Sequence, residues 1–504
     1  MRATIAIFLA LSLAPLLGGQ AGTLTGHEEL LSRLRQLDAA GPRAALEIIG
    51  RSTQGRDIPA LFLARGRFAG QRQRKPIALV FCQQHGDEPS GKEAALLLAA
   101  ELARRDSGIL DRLDLILVPC ANPDGAELRQ RRNARDRDLN RNHVVLSEPE
   151  TQALHRLFQE WFPEIVLDVH EYGAVSPWWV GQGVLKNADE MLGALSNLNI
   201  DAAVRTFGQD VLYPAVRERV AADGFVLFPY TVGSPAEGDR LRFSTNDIDD
   251  GRQSLGIYDT LAFILEGKRC GAVDNMLERR AAAQLSAMTA FLREAARRAP
   301  EILSLVGAAR ARLLAPVAPG ERSFVRMDYF PDPARPAVTF PVFNLQEWRA
   351  ETREWKNFEP QVKVKKSVRL PLAYVIPGGE SRLVDLLRRH QVRLQRLAAP
   401  AQARVEAYRV LHAAARLEEE SVKPEFDLET VSETVTLARG DVLAFLPQRA
   451  RRLLPLLLEP ESSWGIMTDT GGQESAFAAY GREGGTYPVL RLMEPADLPL
   501  EELE

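Results

Sequence analysis

Short apolar runs alternate with stretches of helical character through the N-terminal part of the chain, and this alternation constrains the fold more than any other feature. The runs are PIALVF from Pro76, LDLILVP from Leu113, EIVLDV from Glu164 and TLAFIL from Thr260. Runs of this kind are typical of strands that are buried on both faces. Strands that alternate with helices predict an α/β fold with a mixed, mainly parallel sheet flanked by helices.

The alternation stops around residues 299–319, and the sequence that follows favours β-structure. VKVKKSVRLPLAYVIP and SETVTLARGDVLAFLP lean towards strands, while residues 381–397 show a helical pattern. A chain of 504 residues also exceeds the roughly 250–300 residues at which a single hydrophobic core stops growing. We therefore expect an α/β domain over residues 22–308 and a second, β-rich C-terminal domain over residues 309–504, with no indication of the second domain's role.

The N-terminal sequence MRATIAIFLALSLAPLLGGQAG has the organisation of a secretory signal peptide. Arg2 supplies a short basic region, an apolar core runs over residues 5–17, and small residues precede a cleavage position after Ala21. The alternative is a retained membrane anchor, but the apolar stretch falls short of the ~20 residues that a spanning helix needs. Residues 1–21 therefore predict export, to a periplasm or to the outside of the cell, with no membrane span in the mature form.

The overall composition excludes some functions and leaves others open. With 45% hydrophobic and 26% charged residues, the chain is expected to be globular, and a net charge of -4 gives no electrostatic signature of nucleic-acid binding. Cys82, Cys120 and Cys270 are too few for a disulfide scaffold, although a single disulfide stays an alternative. They lack a local Cys-His signature, so we expect buried small side chains and no catalytic thiol.

Two histidines and a glutamate follow two of the predicted strands directly. His85 and Glu88 lie in the sequence HGDE after the first apolar run, and His170 directly follows the run EIVLDV. Each taken alone is more often an ordinary loop or core residue, but ligands of open α/β sheets bind beyond the carboxyl ends of the strands. Two histidines and one carboxylate form the ligand set of an open catalytic zinc site, which keeps a position for water. Together they predict a zinc site.

An arginine-rich segment, NPDGAELRQRRNARDRDLNRNH, lies between the two proposed ligand strands at residues 122–143. A basic loop is often a solvated face and sometimes a nucleic-acid patch. Here the arginines are interleaved with Asp and Asn, which suits a small anion better than a polymer. Arginine presents a planar fork of donors that binds a carboxylate bidentately and can hold a developing oxyanion.

Over about residues 45–298 the chain resembles the zinc carboxypeptidases of the carboxypeptidase A type, a family that includes bacterial murein-peptide relatives. The pieces that carry the resemblance run in the family's order and are IGRSTQGRDIPAL from Ile49, HGDE from His85, NPDG from Asn122, RRN from Arg131, DLNRN from Asp138, SEPE from Ser147, His170, and FILEGK with Glu266. One such motif is weak, whereas the full ordered set is specific.

The resemblance implies a role for each matching residue. It implies that one zinc ion per chain is bound by His85, Glu88 and His170, and that Asp138 orients His85. It also implies substrate contacts, with Arg131 polarising the scissile carbonyl and stabilising its oxyanion, Asn140 and Arg141 binding the terminal carboxylate, and Glu266 acting as the general base. The adjacent Arg132 is the residue to which this role of Arg131 could be wrongly assigned.

The chain departs from the family pattern at several positions. The family has a substrate-facing tyrosine upstream of the catalytic glutamate, but Tyr258 and Tyr230 do not fit its position, so this role stays unassigned. His143 stands where the family usually has an aromatic residue, and we interpret it as a variant and not as a fourth ligand. Glu171, directly after His170, is a second carboxylate that is a candidate to line the site.

These residues predict zinc-dependent hydrolysis of peptide bonds, most simply the removal of C-terminal residues by zinc-activated water, with a carboxylate carrying the proton. A deacylase of N-acyl amino acids and a murein peptide amidase on the same scaffold are alternatives. A binding protein that lost catalysis is disfavoured by the intact Glu266, because binding alone needs no base. The side-chain specificity stays open, since Asp247, Asp249 and Asp250 fit either a solvated acidic loop or a pocket for a cationic side chain.

Overall fold

The computed structural model describes residues 24–68, 75–104, 107–418, 421–470 and 477–503. The predicted signal peptide at residues 1–21 lies outside these ranges. Within them, the structure contains no helix with the length and apolar character that crossing a membrane requires.

The N-terminal region consists of strands and helices that alternate as the sequence predicts. Its strands are β1 Ala44–Arg51, β2 Asp57–Leu63, β3 Ile77–Cys82, β4 Asp114–Val118, β5 Ile165–Gly173, β6 Val184–Lys186, β7 Glu190–Ala194, β8 Leu227–Pro229, β9 Thr231–Val232, β10 Leu241–Phe243 and β11 Leu261–Arg269. Its helices are α1 His27–Ala39, α2 Ser90–Arg104, α3 Pro123–Leu128, α4 Pro149–Trp161, α5 Pro177–Gly181, α6 Ala202–Thr206, α7 Tyr213–Ala222, α8 Gly251–Gly256, α9 Leu277–Arg297 and α10 Ala299–Leu314, with a 3₁₀ turn at Leu139–Arg141 and a π-helical turn at Phe207–Leu212.

The C-terminal region is rich in strands, which confirms this part of the predicted fold class. Its strands are β12 Arg322–Phe330, β13 Ala337–Asn344, β14 Arg349–Lys356, β15 Phe358–Glu359, β16 Gln361–Arg369, β17 Ala373–Ile376, β18 Gln395–Leu397, β19 Ala401–Glu418, β20 Ser421–Leu437, β21 Val442–Phe445, β22 Asp469–Thr470, β23 Leu490–Leu492 and β24 Leu500–Glu502. Its helices are α11 Ser381–Arg389, α12 Leu453–Leu458 and α13 Phe477–Tyr480.

The N-terminal region is built on an eight-stranded sheet in the order β1-β2-β4-β3-β5-β11-β7-β8. The four central strands β4, β3, β5 and β11 are parallel and correspond to the four apolar runs. The pairs β1–β2, β2–β4 and β7–β11 are antiparallel, and β8 pairs in parallel with β7. The prediction of a mixed, mainly parallel sheet flanked by helices is confirmed.

The register of the central strands brings their carboxyl ends to one edge of the sheet. Every residue of β3 is buried, as expected for a strand covered on both faces. In the pairing of β11 with β5, Glu266 lies directly opposite His170, and β3 on the other side of β5 leads into the turn that carries His85. The hydrophobic pattern of the strands therefore decides which polar residues meet at this edge.

The C-terminal region forms a second eight-stranded sheet in the order β22-β20-β19-β23-β17-β21-β18-β24. Helix α11 ends at Arg389, earlier than the predicted stretch 381–397, and residues 395–397 form strand β18 instead. The helix ends there because the backbone of Gln391 adopts a left-handed conformation, with φ of 53°, which a continuing helix does not permit.

The two regions are joined by backbone pairing as well as by side chains. Strand β6 pairs with β13 in antiparallel fashion, and β10 pairs in parallel with β15. Arg452 donates to Asp259 at 2.9 Å and His390 lies 2.7 Å from the carbonyl oxygen of Val144. Helix α10 runs through the predicted boundary between residues 308 and 309, so this boundary stays a prediction.

Candidate metal centre

Three of the predicted site residues, His85, Glu88 and His170, meet at one point beyond the sheet. All three are buried, and their ligand atoms all lie within 4.8 Å of one another. The Nδ1 atom of His85 lies 2.9 Å from one carboxylate oxygen of Glu88, and the Nδ1 atom of His170 lies 3.0 Å from the other. The two Nδ1 atoms are 3.1 Å apart.

A tight turn places His85 and Glu88 at this point. After β3 ends, Gln83 adopts a left-handed backbone with φ of 57°, and helix α2 begins only at Ser90. Gly86 lies so close to helix α3 that a Cβ atom on it would be 2.0 Å from the carbonyl carbon of Gly125. Only glycine fits this contact, so the HGDE turn packs directly on the NPDG segment.

Carboxylates fix the outer nitrogen of both histidine rings. The Nε2 atom of His85 lies 3.1 Å from Asp138, as the resemblance implies, and the Nε2 atom of His170 lies 2.8 Å from Asp168. Partners of this kind hold each ring with Nδ1 turned towards the shared point and increase its basicity. The sequence reasoning missed Asp168, although it precedes His170 by two residues and thus lies on the same side of the strand.

The geometry of this donor set fits a zinc ion. Ligand atoms at 2.0–2.2 Å from a tetrahedral ion are about 3.3 Å from one another. The two Nδ1 atoms are 3.1 Å apart and lie 2.9 and 3.0 Å from the two oxygens of the Glu88 carboxylate, which approaches this value. Two imidazoles and one carboxylate are also the donors of zinc sites that keep a position for water.

The charges at this point show how strongly the residues act on one another. Burial alone raises the pKa of Glu88, but the adjacent His85 and His170 outweigh it and hold the pKa well below its usual range. Burial lowers the pKa of His85, but Glu88 and Asp138 outweigh it and raise the pKa. The group therefore favours positive charge at the point where its ligand atoms converge.

Arg131 lies beside this group with part of its side chain open to solvent. Its Nε atom donates to Asp138 at 3.0 Å, and its Nη1 atom lies 3.6 Å from Glu88. The side chain is 46% exposed, so the guanidinium lies between the buried ligands and solvent. A cation in this position suits a substrate oxyanion better than a purely structural role.

Asn140 and Arg141 lie on the 3₁₀ turn that Asp138 caps. The Oδ1 atom of Asn140 accepts a hydrogen bond from the backbone of Gly251 at 2.8 Å. Burial lowers the pKa of Arg141, but nearby carboxylates, led by Asp249, outweigh it and raise the pKa. Burial raises the pKa of Asp249 to about 7, and the adjacent charge of Arg141 opposes this shift. The guanidinium is thus held next to an acid that titrates near neutral pH.

Two of the three aspartates in residues 247–250, Asp247 and Asp250, accept hydrogen bonds on their side chains inside the protein. Asp250 caps helix α8 by accepting from the backbone of Gln253 at 2.6 Å, and it also pairs with Arg252 at 3.0 Å. Asp247 accepts a hydrogen bond of 2.7 Å from the indole of Trp464 in the C-terminal region. The carboxylates of Asp247 and Asp250 are therefore engaged inside the protein and Asp249 is buried, so this segment is not a solvated loop.

Glu266 lies on β11 at the same edge of the sheet. It faces His170 on one neighbouring strand and Met191 on the other, and it is 8% exposed. Burial raises the pKa of Glu266 to about 7; Glu88 acts in the same direction, while His170 opposes the shift. A carboxyl group that titrates near neutral pH is suited to accepting and returning a proton.

Glu171, which the sequence suggests as a second carboxylate of the site, does not line it. Its carboxylate accepts three hydrogen bonds from Arg280, at 2.7 Å from Nε and at 2.5 and 2.7 Å from Nη2, and one of 2.7 Å from Ser90. Adjacent residues of a strand point to opposite faces, so Glu171 and His170 diverge.

The tyrosines and His143 take different positions relative to the site. Tyr258 is packed in the core, with its ring centre 5.4 Å from that of Phe158. Burial and the charge of Glu266 raise the pKa of Tyr230, which places this tyrosine within electrostatic reach of the site. The Nε2 atom of His143 lies 2.8 Å from the Oε1 atom of Gln84, so His143 lies behind Gln84 and outside the ligand group.

All three cysteines are free thiols, so the disulfide considered as an alternative is not formed in the structure. Cys82 and Cys120 are buried, and burial raises the pKa of Cys120 to about 12. A thiol with so high a pKa is not a nucleophile at neutral pH.

Comparison with known proteins identifies a family and several relatives that this chain resembles. Residues 30–205 match the family model described as zinc carboxypeptidase. Carboxypeptidase 2 of Trichophyton tonsurans is 25% identical over 457 residues, which cover 88% of this chain and 81% of the relative. Carboxypeptidase 2 of Trichophyton rubrum is 25% identical over 487 residues, covering 93% and 86%. The predicted family resemblance and the predicted enzyme class, a zinc metallocarboxypeptidase, are confirmed.

Solved structures with some likeness include a metallo-carboxypeptidase from Burkholderia cenocepacia. It has a TM-score of 0.42 and 17% identity and covers 54% of this chain and 69% of its own. Carboxypeptidase A from Helicoverpa armigera has a TM-score of 0.41 and 16% identity and covers 58% and 81%.

Proposed function

We propose that this chain, a zinc carboxypeptidase by family, binds one zinc ion through His85, Glu88 and His170 and removes C-terminal residues from peptides. The observation that carries the proposal is the convergence of two Nδ1 atoms and one carboxylate, with separations of 2.9 to 3.1 Å, on one buried point. Carboxylates that fix the outer nitrogens of both rings support it, because such partners orient zinc-binding histidines.

When bound, zinc supplies a Lewis acid for the scissile carbonyl and lowers the pKa of a water molecule to about 7. Glu266 then moves the proton. It takes a proton from the attacking water and returns it to the nitrogen of the departing amine, without which an amide does not break. Its burial supports this role, because a desolvated carboxyl group has a pKa closer to the working pH than an exposed one.

The two arginines bind different negative groups of the substrate. Arg131, whose side chain is 46% exposed, stabilises the oxyanion that develops on the carbonyl oxygen. Asn140 and Arg141 bind the terminal carboxylate. Nearby carboxylates, led by Asp249, favour the charged form of Arg141, and its guanidinium donates to the carbonyl oxygen of Asn140 at 2.9 Å.

We also propose that the chain is exported after cleavage of residues 1–21, so that its peptide substrates lie outside the cytoplasm. Deacylation of N-acyl amino acids and amidase action on murein peptides use the same zinc chemistry. The curated relatives named carboxypeptidase 2 match over most of this chain, including the C-terminal region, and this supports peptidase action over both alternatives.

Cleavage of peptides with free and amidated C termini tests this function. The parent protein should cleave the free peptide and leave the amidated one intact, and it should not hydrolyse N-acyl amino acids. Arg141→Ala should raise KM far more than it lowers kcat, because a contact made equally in the ground and transition states behaves in this way.

Arg132→Ala is the matched control, since Arg132 lies in the same segment, is 49% exposed and pairs with the exposed Asp136. It should leave both constants at parent values. Equal cleavage of the free and amidated peptides would contradict exopeptidase action and indicate an endopeptidase or an amidase.

A further inference from the structure

Lys186 on β6 is a nearly buried cation in the aromatic cluster next to the central sheet. It is 9% exposed, and its ammonium group lies over two aromatic rings, 5.3 Å from the centre of Trp179 and 5.7 Å from that of Phe340. Within the ranges that the structure describes, no carboxylate lies within ion-pair distance of this ammonium group. Buried charges are normally paired, so this arrangement is unusual.

Both regions of the chain build the seat of this lysine. Lys186 is opposite Val342 in the pairing of β6 with β13, and Phe340 lies two residues earlier on the same C-terminal strand. Phe340 and Trp179 belong to one buried cluster with Met191, which is directly opposite Glu266 in the central sheet. Directly opposed side chains lie on the same face of a sheet, so the cluster lies on the face that carries the proposed base.

Two carboxylates act electrostatically on the ammonium group of Lys186. Burial lowers the pKa of Lys186 to about 8, while Asp239 and Glu266 act in the opposite direction. The group is therefore mainly protonated at neutral pH, and it lies within electrostatic reach of Glu266.

Lys186 also lies on the wall of a cavity of about 260 Å³ with an excess of positive charge. The charged residues of this wall are Lys186, Asp189, Lys268, Arg279 and Arg280. Arg279 pairs with Asp189 at 2.9 Å, Lys268 lies 3.9 Å from the same carboxylate, and Arg280 pairs with Glu171. Among the lining residues, Lys186 is thus the cation without an ionic partner in the described part of the chain, and an unpaired cation attracts an anion.

We propose that Lys186 is a specificity-determining residue that binds a side-chain carboxylate of the peptide substrate, close to the scissile bond. The aromatic seat holds the ammonium group in place, and the substrate supplies the counter-charge that the protein does not. The chain then prefers peptides with Glu or Asp next to the scissile bond over their amide counterparts. This inference rests on the proposed peptidase function, to which it adds the class of preferred side chain.

Matched peptides that differ only in Glu or Gln test the preference, at the last position in one pair and at the second-last position in the other. For at least one pair the parent protein should show a kcat/KM about tenfold or more higher for the Glu peptide, the size of a hydrogen bond to a charged group. Lys186→Met keeps the aliphatic part of the side chain on the rings and should abolish this preference, while the rate on the Gln peptide stays at the parent value. Lys186→Arg should restore part of the preference.

Lys363→Met is the control, because Lys363 also lies over an aromatic ring, 5.2 Å from the centre of Phe330, but is exposed to solvent. It should leave the preference unchanged. A parent protein that cleaves Glu and Gln peptides equally in both pairs would overturn the inference, as would a Lys186→Met variant that slows both members equally. Loss of all peptidase activity in the parent would instead overturn the proposed function, so the two failures are distinguishable.

Discussion

The two regions of the molecule each bury a glutamate in a cluster of polar side chains, and the two clusters differ in what surrounds the carboxylate. In the C-terminal region, Glu459 accepts hydrogen bonds of 2.8 Å from the hydroxyls of Tyr374 and Tyr408 and lies 3.2 Å from Arg491. In the N-terminal region, Glu88 faces two histidine nitrogens that are themselves only 3.1 Å apart.

The pKa values of the two glutamates shift in opposite directions. Burial raises the pKa of Glu459, and Arg491 with the two tyrosines opposes this without outweighing it. The histidines instead hold the pKa of Glu88 well below its usual range against the effect of burial. Glu459 is thus a closed group whose acceptors are satisfied by fixed donors, whereas Glu88 belongs to a set that is complete only with a cation. Similar burial therefore serves stability in one region and binding in the other.

The largest effect expected from this contrast is the loss of turnover in Glu266→Gln. The variant should keep its zinc and its affinity for substrate, because the amide has the size of the carboxylate and leaves His85 and His170 in place. Turnover should fall by about a hundred- to ten-thousandfold, near the upper end because one group serves both proton transfers.

The pH profile sharpens this test. Activity of the parent should decline as the pH falls below about 7, since Glu266 must be ionised to accept a proton and a bound cation can only lower its pKa. The residual activity of Glu266→Gln should lack this acidic limb. If the variant keeps more than about a tenth of parent activity, the loss is smaller than any general-base contribution of that size. Glu266 would then not be the general base.

A smaller effect, on stability alone, is expected from Glu459→Gln. The substitution removes the charge opposite Arg491 and one acceptor of the tyrosine hydroxyls, so the free energy of unfolding in urea should fall by about 2–3 kcal/mol. Zinc content and kcat should stay at parent values. As a control, Glu429→Gln alters an ion pair with Arg409 in which both side chains are about half exposed, and it should change stability by no more than about 0.5 kcal/mol. Loss of zinc in Glu459→Gln would break the separation between the two clusters.

The smallest effect is expected from Asp138→Asn, which weakens the metal group without removing a ligand. The amide cannot supply the charge that orients and polarises His85, so zinc affinity should fall about ten- to a hundredfold in competition with a chromophoric chelator. Asp136→Asn is a close control, since Asp136 is exposed in the same segment and its left-handed backbone, with φ of 58°, tolerates Asn. Equal affinities for the two variants would show that Asp138 does not support the metal group.

The sequence predicts the N-terminal sheet well because its signal is local. The four apolar runs are long enough and hydrophobic enough to be recognised as buried strands, and parallel strands place His85, His170 and Glu266 at one edge. Asp168 also had a local signal, its two-residue offset from His170, and was within reach of the same reasoning. Successive side chains of a strand point to opposite faces of the sheet, and the separation of Glu171 from the site follows from this rule as well.

What the sequence does not reveal depends on contacts between the two regions. The partner of Asp247 is Trp464, and the aromatic seat of Lys186 needs Phe340, so neither is visible from the neighbouring residues. The early end of helix α11 depends on the left-handed conformation of Gln391, a residue type that seldom adopts it. Long-range contacts and backbone exceptions are therefore where sequence patterns stop being informative.

The metal content of purified variants tests the central claim most directly. The parent protein, measured by atomic emission, should hold close to one zinc per chain. His85→Ala and His170→Ala should each lose it, because one histidine and one carboxylate do not retain the ion. His155→Gln is the control, since His155 is a buried histidine that contacts His143 at 3.0 Å and lies outside the ligand group; it should keep its zinc. Full zinc content in both His85→Ala and His170→Ala would contradict the assignment of the metal centre.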